Sequence, residues 1–176
     1  EWAPDRGVTA SPFPLIADYG FLSDCETNCL IAPSGAVEWM CVPRPDSPSI
    51  FTSVLDRAWG SFPVAPFGVA VPAARRYLPG TLVLETTWQT PTGWLVVRDA
   101  LIMAEWHNTD QRSKTHRRSP TDDDAAHVLL RTIRCVYGTV DLQMTCEPVF
   151  DYARKGGKWS YPRSEYSEVV ATGKGQ

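Results

Sequence analysis

The chain has 176 residues, 43% of them hydrophobic, with 17 basic and 20 acidic side chains. That length suits one all-β or α/β domain with its own core. The net charge of -3 leaves no polycationic face for a nucleic-acid backbone or an anionic membrane, and no apolar run nears the roughly 20 residues that span a bilayer.

In chain order, "EWAPDRGVTASPFP" lacks the charged-then-apolar order of a signal peptide. Residues 1–12 read as an extended or disordered lead-in to a domain over 13–176. Runs with strand character follow at 28–32, 36–42, 81–88, 94–103 and 127–136, with clean alternation over 140–147: Val140, Leu142, Met144 and Cys146 on one face, Asp141, Gln143, Thr145 and Glu147 on the other. Turn signals stand between them at "PSG" 33–35, "TPTG" 90–93, "YG" 137–138 and "KGG" 155–157. Only "SIFTSVLD" allows a helical turn or two, and fifteen prolines oppose more. The expected class is an antiparallel β-sandwich or barrel. Residues 107–126, polar and charged in blocks and too long for an idle connection, read as either a functional loop or a mobile, solvated one. The chain opens without Met and closes on "VVATGKGQ", and so reads as a piece of something longer.

Five cysteines, at 25, 29, 41, 135 and 146, are an odd count in a chain too large to need disulfide staples, which favours a reducing, cytoplasmic setting. If Tyr137-Gly138 closes a hairpin, Cys135 and Cys146 lie roughly 20 Å apart along the ladder, too far to bridge. Cys25, Cys29 and Cys41 with a histidine fall short of the paired Cys-x2-4-Cys spacing of a zinc site, so no metal is expected. There is no Gly-x-Ser-x-Gly elbow and no phosphate loop. The carboxylates Asp18, Asp24, Glu26, Glu38, Asp46, Asp99 and Asp151 lack local context marking an acid/base pair, and most are expected to face solvent. Of the seven tryptophans, Trp39 and Trp88 are expected in the core, and Trp94 and Trp106 are candidates for a sugar platform. Trp159 joins them if the domain is a stand-alone carbohydrate-binding sandwich.

The segment "CVPRPDSPSIF", 41–51, stands apart. Pro43, Pro45 and Pro48 fix φ and stiffen the backbone, so Arg44, Asp46, Ser47 and Ser49 are held out on a rigid frame. Such a frame suits ligand contact, and it suits a buried Arg–Asp clamp between two layers equally well.

The run "IADYGFLSDCETNCLIAPSGAVEWMCVPRPDSPSIFTSVLD" resembles the opening of bacterial family-15 glycoside hydrolases, the glucoamylase, glucodextranase and trehalase group. "RYLPGTLVLETTWQTPTGWLVVRDAL" and "HRRSPTDDDAAHVLLRTIRCVYGTVDLQMTCEPVFDYAR" are similar to the trehalase branch. The resemblance implies a super-β-sandwich that precedes an (α/α)6 barrel absent from this chain. It further implies that the two glutamates of an inverting mechanism sit in that barrel, and that the intact protein hydrolyses α,α-trehalose. A glucoamylase or glucodextranase activity remains the alternative. Inorganic phosphate and magnesium belong to some members, with no residue here assigned to either, and self-association into a homo-oligomer stays open. In such a protein the 43–49 loop would border the sugar site or clamp the two domains.

Overall fold

The computed structural model of the chain describes residues 12–103, 127–161 and 169–173. Of the expected lead-in, 1–11 lie outside them, as does the whole of the 107–126 loop. Among the described residues the chain forms a 3-10 turn at Ile16–Asp18 and thirteen strands. These are β1 (Gly20–Ser23), β2 (Asn28–Ile31), β3 (Ala36–Cys41), β4 (Ser49–Phe51), β5 (Phe62–Pro66), β6 (Ala74–Tyr77), β7 (Leu84–Gln89), β8 (Gly93–Leu101), β9 (Leu129–Gly138), β10 (Leu142–Met144), β11 (Val149–Phe150), β12 (Lys155–Ser160) and β13 (Val170–Gly173).

One sheet runs β1-β2-β3-β5-β10, with β4 also paired to β3; a second runs β6-β7-β8-β9; β11, β12 and β13 form a small third. Every pairing is antiparallel. The first two sheets face each other. Leu22, Ile31, Val37, Met40 and Phe51 of the first pack with Leu84 and Leu101 of the second, and Val64 packs with Trp88, Leu95 and Val97. The expected all-β sandwich is what the chain folds into.

Period-two alternation explains why these segments are strands. In β8, Leu95, Val97 and Leu101 point inward while Trp94 and Arg98 are exposed. Each large apolar side chain so buried contributes about 1.5–3 kcal/mol relative to exposure. The turn at 33–35 forms as the sequence indicates. Gly35 has φ of 78°, and a Cβ there would stand 2.5 Å from the Val64 carbonyl oxygen. Only glycine fits. Residues 90–93 also close a turn, Thr90 N–H donating to the Gly93 carbonyl at 2.9 Å.

Three expectations fail. The hairpin joining 127–136 to 140–147 does not exist: β9 pairs with β8, and β10 pairs with β5 in the other sheet. Its turn would need positive φ at both central residues, and only Gly138, at 64°, has it. The chain instead leaves one sheet at Gly138 and enters the other, tied by Thr139 N–H to Thr92 O (3.1 Å) and Phe67 N–H to Asp141 O (2.8 Å). Cys135 therefore faces Leu95, not Val140. "KGG" 155–157 opens β12; the turn before it has positive φ at Asp151, Tyr152 and Ala153. "SIFTSVLD" gives strand β4 and then a turn in which the Leu55 and Asp56 N–H groups both donate to Thr52 O.

Candidate functional site

The 43–49 loop begins where Thr27 Oγ1 donates to the carbonyl of Cys41. Its own hydrogen bonds close it. Ser47 N–H donates to Arg44 O at 3.0 Å, and Arg44 N–H donates back to Ser47 Oγ at 3.2 Å. Arg44 forks onto Asp46 through Nε–Oδ1 at 3.0 Å and Nη2–Oδ2 at 3.2 Å, with side chains 69% and 72% exposed. Arg44 and Asp46 therefore do not clamp the two layers of the sandwich; they stand on its surface, where such a pair is worth about 0–1 kcal/mol. Ser49 is turned the other way, fully buried in β4 with no partner for its hydroxyl among the described residues.

A clamp between layers does exist, on other residues. Asp99 of β8 and Arg131 of β9 are directly opposed across the ladder and both point into the sandwich, their side chains 1% and 5% exposed. Arg131 Nε donates to Asp99 Oδ1 at 2.7 Å. Its Nη1 donates to Phe62 O and its Nη2 to Gly35 O at 2.6 Å, while the guanidinium lies 4.8 Å from the Phe62 ring centre. One side chain thus joins the second sheet to β5 and to the β2–β3 turn of the first. Burial pushes the Asp99 carboxyl up despite the neighbouring Arg131 and, more weakly, Arg75. Arg75 of β6 makes a second tie, donating to Ile31 O at 3.0 Å and Asp18 O at 2.6 Å. Spacing could have revealed the clamp, because Asp99 and Arg131 each occupy an inward position of an alternating strand.

Of the seven carboxylates named from the sequence, Asp24, Glu38 and Asp99 are buried, while Asp18 and Asp46 face solvent; the buried ones, and Glu85 with them, are all engaged. Asp24 accepts the N–H groups of Glu26 (2.8 Å) and Thr27 (2.6 Å), with His127 Nδ1 3.6 Å away. Glu38 takes the Tyr19 hydroxyl and the Arg57 guanidinium, both at 2.5 Å, and Arg57 stacks on Phe13 at 4.6 Å. Burial and the Glu38 carboxylate both push the Tyr19 hydroxyl up. Glu85 is shared by Arg76 and Arg98, whose hydrogen bonds hold it below the usual carboxylate range. Glycoside cleavage needs two carboxyl groups facing each other across a substrate. A groove of about 430 Å³ beside the 3-10 turn carries one carboxylate, Asp18, and a cavity of about 230 Å³ on the second sheet carries one, Glu85. Neither can supply both an acid and a base.

Of the aromatic candidates, Trp94 is 46% exposed at the start of β8, cross-strand from Tyr137, which is 72% exposed. Trp106 lies outside the described residues. Trp159, on β12, is 43% exposed. Trp88 is fully buried as expected, and Trp39 is half-buried. All five cysteines are free; Cys29 is sealed in the core, its thiol pushed up to about 12 by burial. Among the described residues no three His, Cys, Asp or Glu side chains gather as metal ligands, and no helix is long and apolar enough to cross a membrane.

The sequence profile of the family described as "Trehalase-like, N-terminal" matches residues 7–155. A protein named Trehalase from Mycolicibacterium smegmatis is 66% identical over 161 residues, covering 92% of this chain and 24% of that protein. A Trehalase from Mycobacterium tuberculosis is 64% identical over the same shares. A Trehalase from Thermoplasma volcanium is 33% identical over 55 residues, 31% of this chain and 9% of its own length. No solved structure matches the chain. The chain thus spans about a quarter of the length of the mycobacterial relatives, and it belongs to the trehalase-like N-terminal domain family.

Proposed function

We propose that this chain is the non-catalytic sandwich of an inverting glycoside hydrolase that cleaves α,α-trehalose to two glucose molecules, its acid and base lying in polypeptide outside the sequence given. The observation that carries the reading is the 66% identity over nearly the whole chain to a protein named Trehalase four times its length. The chemistry of the domain agrees: its buried carboxylates Asp24, Glu38, Glu85 and Asp99 are bound up with backbone or arginine partners. In this reading the sandwich is continued by further chain and packs on an (α/α)6 catalytic domain, and the intact protein works in the cytoplasm, in line with its unpaired thiols. Two strand edges that are unpaired among the described residues support the continuation. β9 and β10 end their sheets, and Ile133, Leu142 and Met144 remain 39%, 40% and 62% exposed.

The test compares the full-length protein with the 176-residue chain on trehalose, maltose and dextran. Glucose release from trehalose by the former alone is expected, with the freshly released anomers read by NMR. Release by the short chain, or preference for maltose or dextran, would overturn the assignment.

A further inference from the structure

The outer face of the second sheet carries a row of side chains that runs straight across four strands. Arg76 of β6 opposes Glu85 of β7, Glu85 opposes Arg98 of β8, and Arg98 opposes Thr132 of β9. Glu85 is consumed within that row. Its Oε1 accepts from Arg76 at 2.7 Å and its Oε2 from Arg98 Nε at 2.7 Å. The next position outward on β9, two residues along from Thr132 and diagonal to Arg98, is Arg134. The diagonal places two long cationic side chains within reach of each other, so that one anion can bridge them. Among the described residues, three guanidinium groups therefore accompany one carboxylate whose oxygens are already taken, and these four side chains carry a surplus positive charge.

Between Arg98 and Arg134 the surface is hollow. A cavity of about 230 Å³ is lined by Glu85, Val96, Arg98, Thr132, Arg134 and Val136. Arg98 spends only Nε on Glu85, and Arg134 makes no ion pair or side-chain hydrogen bond with any described residue. Two cationic forks, the Thr132 hydroxyl and the apolar walls of Val96 and Val136 converge on one small space. Guanidinium groups of this kind bind planar or tetrahedral oxyanions through paired N–H donors, and partly apolar walls strengthen the attraction.

We propose that this cavity is a binding site for a small oxyanion, held by the Arg98 and Arg134 guanidinium groups and the Thr132 hydroxyl. Glu85 is the positioning residue that fixes Arg98, and Arg134 is the side chain committed to the ligand.

The test uses the full-length protein and arginine modification by phenylglyoxal, read residue by residue through peptide mass mapping. Phosphate, sulfate and acetate are compared with chloride at equal ionic strength. Slowed, saturable modification of Arg134 with phosphate or sulfate is expected, while Arg44, between β3 and β4 and not part of the cavity lining, is modified at an unchanged rate. Protection by acetate alone still supports an oxyanion site, identifies the ligand as a carboxylate and makes acetate, in place of phosphate, the titrant for the R134Q comparison below. Calorimetric titration with inorganic phosphate supplies a second reading: Arg134→Gln should weaken binding about tenfold or more, the loss of one charged hydrogen-bonding partner, without lowering the melting temperature. Protection by chloride equal to that by the oxyanions, no protection by any of them, or unchanged phosphate affinity in R134Q would overturn the proposal.

Discussion

Replacing Arg131 by methionine tests the central structural claim, that one buried guanidinium ties the two sheets together. The substitution keeps most of the side-chain volume and removes the charge. It leaves the Asp99 carboxylate without its direct ion-pair partner and the carbonyls of Phe62 and Gly35 without this donor, at a site where Asp99 is 1% exposed. Removing one member of a buried pair costs about 3–5 kcal/mol. For a chain of this size that corresponds to a fall of roughly 6–20 °C in melting temperature. Urea unfolding followed by tryptophan fluorescence measures it. The companion double variant R131M/D99L removes the stranded charge as well, so it should be less destabilised than the sum of the single variants, with a coupling of about 2 kcal/mol or more. Acidity supplies a signature. Burial already raises the Asp99 carboxyl, and loss of Arg131 raises it further. A carboxyl whose folded value exceeds its unfolded value, about 3.9, loses stability as pH rises between the two, so R131M should recover part of its loss on acidification. A single variant within about 1 kcal/mol of the parent, or strictly additive single and double variants, would refute the clamp.

Thiol titration under native conditions should find Cys25 and Cys135 reacting promptly, while Cys29, with its thiol pushed up to about 12, reacts only on unfolding. If the 43–49 loop borders the sugar site, the double variant R44A/D46A in the full-length protein should lower turnover about tenfold and leave the melting temperature within about 2 °C; a fall in melting temperature would point to the domain clamp instead, and wild-type turnover would remove the loop from the sugar site. Glu85 is held below the ordinary carboxylate range by Arg98 and Arg76, so its contribution is present above the unfolded value of about 4.3 and is lost as pH falls through the folded one. E85Q should therefore show a shallower loss of stability than the parent between about pH 4 and about pH 2, measured by urea midpoints.

Strand identity was legible because it depends on local alternation. β2, β3, β8 and β9 appear where apolar residues recur every second position. Pairing was not, because alternation specifies a face and says nothing about the partner strand. The segment after Gly138 carries the expected period, and its Val140 and Cys146 do pack on the core from the other sheet. What defeats the hairpin is backbone geometry: Gly138 alone takes positive φ, and its missing Cβ allows the Thr92 carbonyl within what would be 2.1 Å. The polar site had the same split. The proline-stiffened loop drew notice because its chemistry is contiguous in sequence, whereas Asp99 and Arg131 lie 32 residues apart and become a pair only once β8 and β9 align. Inward-facing charge on two alternating strands was the available signal, and it outweighed contiguity.

The open edges of the sandwich carry the last expectation. β9 and β10 are joined by three residues, yet each ends a different sheet, so their edges, unpaired among the described residues, border the same side of the sandwich. The inward row of β9 runs Leu129, Arg131, Ile133, Cys135, and cover is lost along it: Arg131 is buried, Ile133 is 39% exposed and Cys135 is exposed. Leu142 and Met144 on β10 share that condition. A monomeric domain seldom leaves strand edges and apolar side chains open together, because they template association. If further chain of the same protein covers this side, Met144→Lys, at a side chain already 62% exposed, should destabilise the full-length protein by about 1–3 kcal/mol, the cost of desolvating a charge, and change the 176-residue chain by no more than about 0.5 kcal/mol. Parallel melting of both lengths decides it. Equal effects in the two would mean that nothing beyond these residues closes the sandwich.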